Sequence, residues 1–246
     1  MRNLITVVAL VLALALPSVA ASFINGGFED GNWNGWTQGG GYWYGAPVSP
    51  TDYLPGGSQY NMGGNRSAIV TAGNDPITGL PMVYNGSYAA RVNDSSNMYH
   101  VSVISQTVLN YTDTNIYFAW SAVLQASHGV GDSDYFALKL TDDTQGDTLY
   151  AVSYDSASTP GYFQQIGSWY YSGWQIANLD VSARIGHTFT LTLLGSDCPY
   201  GGHGGYVYLD GFGATPPPPG PEPTTMSLVL LGAGSVVLAR LRRRRA

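Results

Sequence analysis

His187-Thr188-Phe189-Thr190-Leu191-Thr192-Leu193-Leu194 places Phe189, Leu191 and Leu193 in strict alternation with Thr188, Thr190 and Thr192. Successive strand side chains point to opposite faces, so this period of two makes one apolar face and one wet face, the pattern of a half-buried strand. Working outward, runs rich in β-branched and aromatic residues recur over Val101 to Leu109, Ile116 to Leu124, Tyr135 to Thr141, Thr148 to Tyr154, Trp174 to Val181 and Tyr206 to Phe212. Clusters of Gly, Asn, Asp and Ser separate them about every ten residues. From Ser22 to Ala214 no stretch sustains helical periodicity, and no internal repeat is present. Seven or more strands without crossover helices predict an all-β fold, a single antiparallel β-sandwich over residues 22–214. Asn61 to Gly86, with Pro76 and Pro81, is the least regular part and is expected to be a long loop or strands interrupted by one.

Composition narrows the class. The 246 residues are 44% hydrophobic and only 11% charged, which excludes a coiled coil and a charge-rich disordered chain. One cysteine excludes a disulfide framework and a zinc site built from several thiolates. The formal net charge of −6 is an average over unlike segments. Residues 22–223 hold four basic residues (Arg66, Arg91, Lys139 and Arg184) and all sixteen acids, a balance of −12. Such a body repels nucleic acid and favours divalent cations or neutral sugars as company.

Both ends of the chain are addresses. Met1-Arg2-Asn3, an apolar run from Leu4 to Leu16, and Pro17-Ser18-Val19-Ala20-Ala21 make up a secretory signal peptide over residues 1–21, cleaved after Ala20 or Ala21 by the export machinery. At the other end Thr215-Pro216-Pro217-Pro218-Pro219-Gly220 is an extended Pro-rich linker over 215–220. Pro221-Glu222-Pro223 follows, then a largely apolar stretch from Thr224 to Ala239, then Arg240-Leu241-Arg242-Arg243-Arg244-Arg245. Sixteen helical residues span about 24 Å against a hydrocarbon core of about 30 Å, so 224–239 is expected to be a short transmembrane helix with snorkelling arginines. The arginines place the C-terminus in the cytoplasm and the body outside.

This tripartite tail, 221–246, resembles the PEP-CTERM sorting signal of Gram-negative bacteria. The resemblance implies a membrane processing enzyme, exosortase, as partner, a transient inner-membrane anchor, and a mature form at the cell surface or in the extracellular matrix. It also implies an association with exopolysaccharide and biofilm. A plain membrane anchor is the alternative, and it predicts an uncleaved protein.

The body carries a second resemblance. Asn25-Gly26-Gly27-Phe28-Glu29-Asp30-Gly31 with Trp33 and Trp36 looks like the first strand of galactose-binding-like, carbohydrate-binding-module-like jelly rolls. So do Asn85-Gly86-Ser87-Tyr88-Ala89-Ala90-Arg91-Val92, Ile104-Ser105-Gln106-Thr107-Val108, Tyr117-Phe118-Ala119-Trp120 and the finishing Tyr206-Val207-Tyr208-Leu209-Asp210-Gly211-Phe212. The resemblance implies adjacent first and last strands that bring Glu29 and Asp210 together, and a structural Ca²⁺ on these hard oxygen ligands. The competing reading makes Glu29 a surface acid and Asp210 a turn residue.

Aromatic residues are the other candidates. Tyr42-Trp43-Tyr44 and Trp169-Tyr170-Tyr171 cannot bury every ring on one face of a strand, so each triplet turns at least one ring outward or under a loop. Outward rings stack on sugar faces; inward ones fill a two-sheet core, as Trp36 and Trp120 are expected to do. Gly195 to Tyr206 holds Cys198 and His203, to be weighed as a structural loop, a metal site or a nucleophilic pair. Gly131-Asp132-Ser133-Asp134 resembles a serine-esterase block but reads as a strand-entry turn, and Asp142, Asp143 and Asp147 as solvated acids or a second cation site. Glu29 is the one glutamate of the body, so a two-carboxylate glycosidase would need an Asp pair. The leading function is a non-catalytic glycan-binding module, next a structural or adhesive matrix protein, and third a secreted hydrolase.

Overall fold

A computed structural model describes residues 22–43 and 49–216. The expected signal peptide, Tyr44, residues 217–220 of the expected linker and the expected sorting tail, including Pro221, Glu222, Pro223, the 224–239 stretch and the arginines 240 and 242–245, lie outside the described residues. Two antiparallel sheets form a sandwich of jelly-roll type, with no α-helix among the described residues. The smaller sheet runs β1 (Thr37–Tyr42), β4 (His100–Val108), β11 (Phe189–Ser196), β6 (Tyr135–Asp142), β7 (Asp147–Asp155). The larger runs β2 (Ala68–Thr71), β3 (Tyr88–Val92), β12 (Gly205–Gly213), β5 (Asn115–Gln125). The free edge of β5 takes β10 (Gln175–Asp180) along its first half and β9 (Trp169–Tyr171) along its end, and β8 (Gln164–Ile166) closes that side.

The alternating octad becomes β11, the middle strand of the smaller sheet. Phe189, Leu191 and Leu193 are fully buried against the larger sheet, with Ile104, Phe118, Trp120, Phe136, Leu138, Leu140, Val207 and Leu209. On its other face Thr190 meets the Thr107 hydroxyl at 2.7 Å and Thr192 meets that of Ser105 at 3.2 Å. These residues stand directly opposite one another across β4, so apolar contact on one face and hydroxyl pairs on the other hold a single register. Trp36 and Trp120 are core as expected, 7% and 1% exposed, each with its indole N–H bonded.

The seven strands predicted from the runs are all present, displaced by at most two residues at either end. The first strand is not where the resemblance puts it. Residues 25–31 form successive turns, with Asn25, Phe28 and Gly31 at φ of 49°, 60° and 65°, left-handed conformations that no strand contains. The chain enters its first strand at Thr37, on the edge of the smaller sheet, so the first and last strands belong to different sheets.

Strand β1 has a sequence of low strand propensity, Thr-Gln-Gly-Gly-Gly-Tyr, and packing explains it. A Cβ on Gly39 would lie 2.2 Å from the Tyr53 carbonyl oxygen, one on Gly40 2.6 Å from the Asn65 nitrogen, and one on Gly41 2.5 Å from the Gln59 carbonyl oxygen. The strand has no room for side chains at Gly39 to Gly41 because the 49–66 segment lies against it. Residues 61–86, expected to be irregular, contain the short β2, a 3-10 turn at Met62–Gly64, an isolated bridge between Asn74 and Pro81, and otherwise turns and bends.

Candidate functional site

The sandwich core consumes one face of each sheet; what the outer faces carry decides what the domain can bind. On the smaller sheet the outer face is closed around Val101, Val103 and Leu194. Val101, Val103 and Leu194 project from it into a cluster with Trp43 and Tyr53, covered by the turn Pro50–Tyr53. Trp43 is 6% exposed and donates its indole N–H to the Asp197 carbonyl at 2.7 Å, so it is core and offers no face to a sugar. Tyr42 is half-buried, its hydroxyl bonded to the Gly63 carbonyl at 2.9 Å and its ring 5.6 Å from the His100 imidazole. The expected platform at Tyr42-Trp43 is therefore absent: a side chain that leaves the strand outward meets the 49–66 cover instead of water.

The larger sheet differs. Tyr206 and Tyr208 of β12 and Val123 of β5 point away from the core, and Trp169, Tyr171 and Trp174 pack beside them while remaining half-exposed. Trp169 and Tyr171 stand opposite Gln125 and Val123, whereas Tyr170 stands opposite the core residue Leu124 and so lies on the other face. Strand alternation thus divides the triplet two to one. The rings are fixed: Trp174 donates its indole N–H to the Pro81 carbonyl at 3.0 Å, and the Tyr171 hydroxyl bonds Gln164 Oε1 at 2.8 Å. Trp174 lies 5.5 Å from the Tyr84 ring and 6.2 Å from that of Tyr208.

Beneath this rim lies a carboxylate that reasoning from sequence did not single out. Asp75 is 2% exposed; its Oδ2 accepts the hydroxyls of Tyr206 and Tyr208 at 2.6 and 2.7 Å, and its Oδ1 accepts the Thr78 amide at 2.7 Å. Burial alone would raise its pKa, but the two phenols and Thr78 outweigh burial and hold it below the usual carboxylate range. The loop 72–84 is thereby pinned over β12. Nothing in the local run Asn74-Asp75-Pro76 announces partners 131 and 133 residues away.

Glu29 and Asp210 do meet, by a route other than strand adjacency. The Gly26 carbonyl accepts the Phe212 amide at 3.0 Å, which lays the 25–31 turns across the end of β12. Exposed Glu29 accepts the amides of Ser87 and Tyr88; Asp210, 1% exposed, accepts those of Tyr84 and Asn85 with Oδ2 and of Gly211 with Oδ1. Burial, with a further contribution from the Glu29 charge, raises Asp210 to about 7 despite these donors.

The acids of the β6–β7 turn are engaged differently. Asp142 and Asp147 both pair with Arg184, and Asp143 accepts the hydroxyls of Thr141 and Thr190. A guanidinium takes the place that a second cation would need. Asp132 to Asp134 form the turn into β6, with Asp134 buried and accepting the Gln125 amide at 2.8 Å. A polar network also fills one end of the inter-sheet space. Buried Asp197 accepts the His100 amide and imidazole and the Asn93 amide group, and Arg66 meets the other imidazole nitrogen at 2.8 Å. A cavity of about 250 Å³ lined by Ser22, Ile24, Gly35, Gln106, Thr107, Val108 and Leu109 contains no acid or base.

No protein-family model and no curated protein matches the chain. Among solved structures it is similar to TmCBM61 in complex with β-1,4-galactotriose, at 15% identity over 78% of this chain and 96% of that one, with a TM-score of 0.41. It is similar to CBM28, a carbohydrate-binding module specific for non-crystalline cellulose, at 14% identity over 77% and 92%, with a TM-score of 0.38. A third likeness is to the enzymatically active domain of tailspike protein 4 of bacteriophage CBA120, at 10% identity over 78% of this chain but 21% of that one, with a TM-score of 0.37.

Proposed function

We propose that the domain is a non-catalytic glycan-binding module, exported and delivered to the cell surface or matrix by its C-terminal tail. The observation that carries this reading is the half-exposed trio Trp169, Tyr171 and Trp174 on the outer face of the larger sheet. Indole and phenol faces stack on the apolar faces of pyranose rings, and Gln164, bonded to Tyr171, and Gln125, opposite Trp169, stand beside them as polar partners. Because Trp174 and Tyr171 are already held by hydrogen bonds, little side-chain entropy is lost when a sugar is bound. The body's charge of −12 favours neutral polysaccharides over polyanions.

Affinity electrophoresis and calorimetry against neutral polysaccharides, including galactan, cellulose, mannan and xylan, test this reading. Trp169→Ala and Trp174→Ala are each expected to weaken binding about tenfold or more, equivalent to ~1.4 kcal/mol, while Tyr170→Ala leaves it within about twofold. Folded tryptophan variants that bind like the parent would refute the platform. Absence of any glycan affinity, together with self-association, would instead support an adhesive matrix protein.

The tail supports the delivery step. Pro221-Glu222-Pro223, the apolar 224–239 and Arg240 with Arg242 to Arg245 together form an exosortase substrate signal. Mass spectrometry of the mature protein is expected to find its C-terminus at the motif; an intact tail in membrane fractions would leave a plain anchor.

The same module would hold a structural divalent cation at Glu29 and Asp210. Two hard carboxylates, one of them buried, fit Ca²⁺, whose charge would relieve their repulsion. A bound ion at a hundredfold excess over its Kd contributes about 2.7 kcal/mol, so EDTA is expected to lower Tm by about 5 °C and Ca²⁺ to restore it. An unchanged Tm, or the same response in Glu29→Gln, would show that the backbone amides alone satisfy these acids.

A further inference from the structure

We propose that His128, Cys198 and His203 form a binding site for a borderline transition metal of the Zn²⁺ class. Cys198 and His203 flank the β11–β12 loop, and His128 belongs to the β5–β6 connection, 70 residues earlier than Cys198. The sandwich brings the loops together, and one ligand atom from each residue lies within 4.8 Å of the others. A thiolate sulfur and an imidazole nitrogen on one tetrahedral zinc stand about 3.5 Å apart, from metal–ligand distances of about 2.3 and 2.0 Å. Exposed His128 can close the remaining gap by rotating its side chain.

The surroundings favour a ligand role for the sulfur. Cys198 is fully buried and has no second cysteine to oxidise with. Its Sγ accepts the Tyr200 amide at 3.4 Å, which fixes the sulfur inside the loop. The thiol proton points to the Asp132 carbonyl, 3.3 Å away. Metal binding would release that proton to solvent and replace the S–H bond with an S–metal bond, so the thiolate lowers the net charge of the occupied site from +2 to +1.

Backbone hydrogen bonds close the loop on itself. The Cys198 amide donates to the His203 carbonyl at 3.0 Å and the Gly201 amide donates back to the Cys198 carbonyl at 3.0 Å, with Gly201 and Gly202 turning at φ of 75° and 86°. Ser127 Oγ lies 3.3 Å from His203 Nδ1 and orients that ring, as the outer partners of metal-binding histidines do. The His128 ring stands edge-on to that of His203, with centroids 5.1 Å apart. A mixed nitrogen and sulfur set of this kind selects Zn²⁺, Co²⁺ or copper over Ca²⁺ and Mg²⁺, and three protein ligands leave one position for water. The site is therefore chemically distinct from the two carboxylates at Glu29 and Asp210.

The test uses the full chain, purified in detergent, reduced and stripped of metal. Titration with Co²⁺ is expected to reach one equivalent, with a thiolate-to-cobalt charge-transfer band in the near ultraviolet and tetrahedral bands in the visible. Zn²⁺ should bleach these bands and Ca²⁺ should not. His128→Ala, at an exposed position, should fold normally and weaken Zn²⁺ binding at least tenfold. Cys198→Ser should remove the charge-transfer band, and His203→Ala covers the case in which the buried serine variant does not fold. Absence of a charge-transfer band in the parent chain, or unchanged Zn²⁺ affinity in His128→Ala, overturns the proposal.

Discussion

Replacing Asp75 by alanine is expected to destabilise the domain by about 3–5 kcal/mol, lowering Tm by about 10 °C, although the residue lies in a loop. The carboxylate receives five donors: the hydroxyls of Tyr206 and Tyr208, the amides of Ile77 and Thr78, and the Thr78 hydroxyl. Tyr206 and Tyr208 are 3% and 1% exposed, so without Asp75 two phenols must either stay unpaired or lift the 72–84 loop to reach water. Unsatisfied buried donors cost about 1–3 kcal/mol each, which is why a loop substitution behaves like a core one. Burial first, then the Asp75 hydrogen bonds, push both tyrosine pKa values up, while Asp75 itself is lowered. A carboxylate whose folded pKa is depressed contributes its stability above the unfolded value and loses it as pH falls through the folded one. Tyr206→Phe, which removes one donor and leaves the carboxylate, should cost about 1 kcal/mol. Urea unfolding measures all of these; a loss below about 1 kcal/mol in Asp75→Ala would show that the loop is not held this way.

Asp142→Ala is expected to cost about 2–4 kcal/mol and to change the response to acid. The side chain is fully buried at the end of β6; Oδ2 meets Arg184 and His187, and Oδ1 accepts the Thr144 and Gln145 amides at 3.0 and 3.2 Å. Burial would raise its pKa, but the His187 and Arg184 hydrogen bonds outweigh that and hold it at about 2, against an ordinary 3.8. The sign follows: the contribution is complete above pH about 4 and is lost as pH falls toward about 2. The parent should therefore lose stability more steeply than Asp142→Ala across that window, and parallel acid profiles would exclude the hub. Because Arg184 is a quarter exposed, most of the cost should come from the uncapped 142–147 turn and not from the ion pair.

The residues differ in how far they reveal their roles before folding. Phe189, Leu191 and Leu193 state their face by alternation, and Trp120 sits in a run whose period buries it; both are properties of a few adjacent residues. Trp169 and Tyr171 could be separated from Tyr170 by parity, but parity does not say which side is outside. Trp43 and Trp169 each sit in an aromatic triplet with glycine nearby. The difference is that residues 49–66 fold back over the Trp43 side of β1, whereas Trp169 on β9 stays partly accessible, and no local pattern encodes that. The turns at 25–31 show the same limit: the resemblance places a strand there, but Asn25 and Phe28 adopt left-handed backbone and Gly26 bonds Phe212 across the end of the sandwich.

The amino-acid order by itself determined the class of this protein: an antiparallel all-β body of strong negative charge. Those traits are periodicity, composition and short contiguous motifs, each read within about twenty residues. Only the tertiary structure decided which aromatic rings face solvent, that Asp75 locks Tyr206 and Tyr208, and that His128 joins Cys198 and His203. Sheets are assembled from strands far apart in the chain, so a site on them is a statement about long-range neighbours, and these are set by packing.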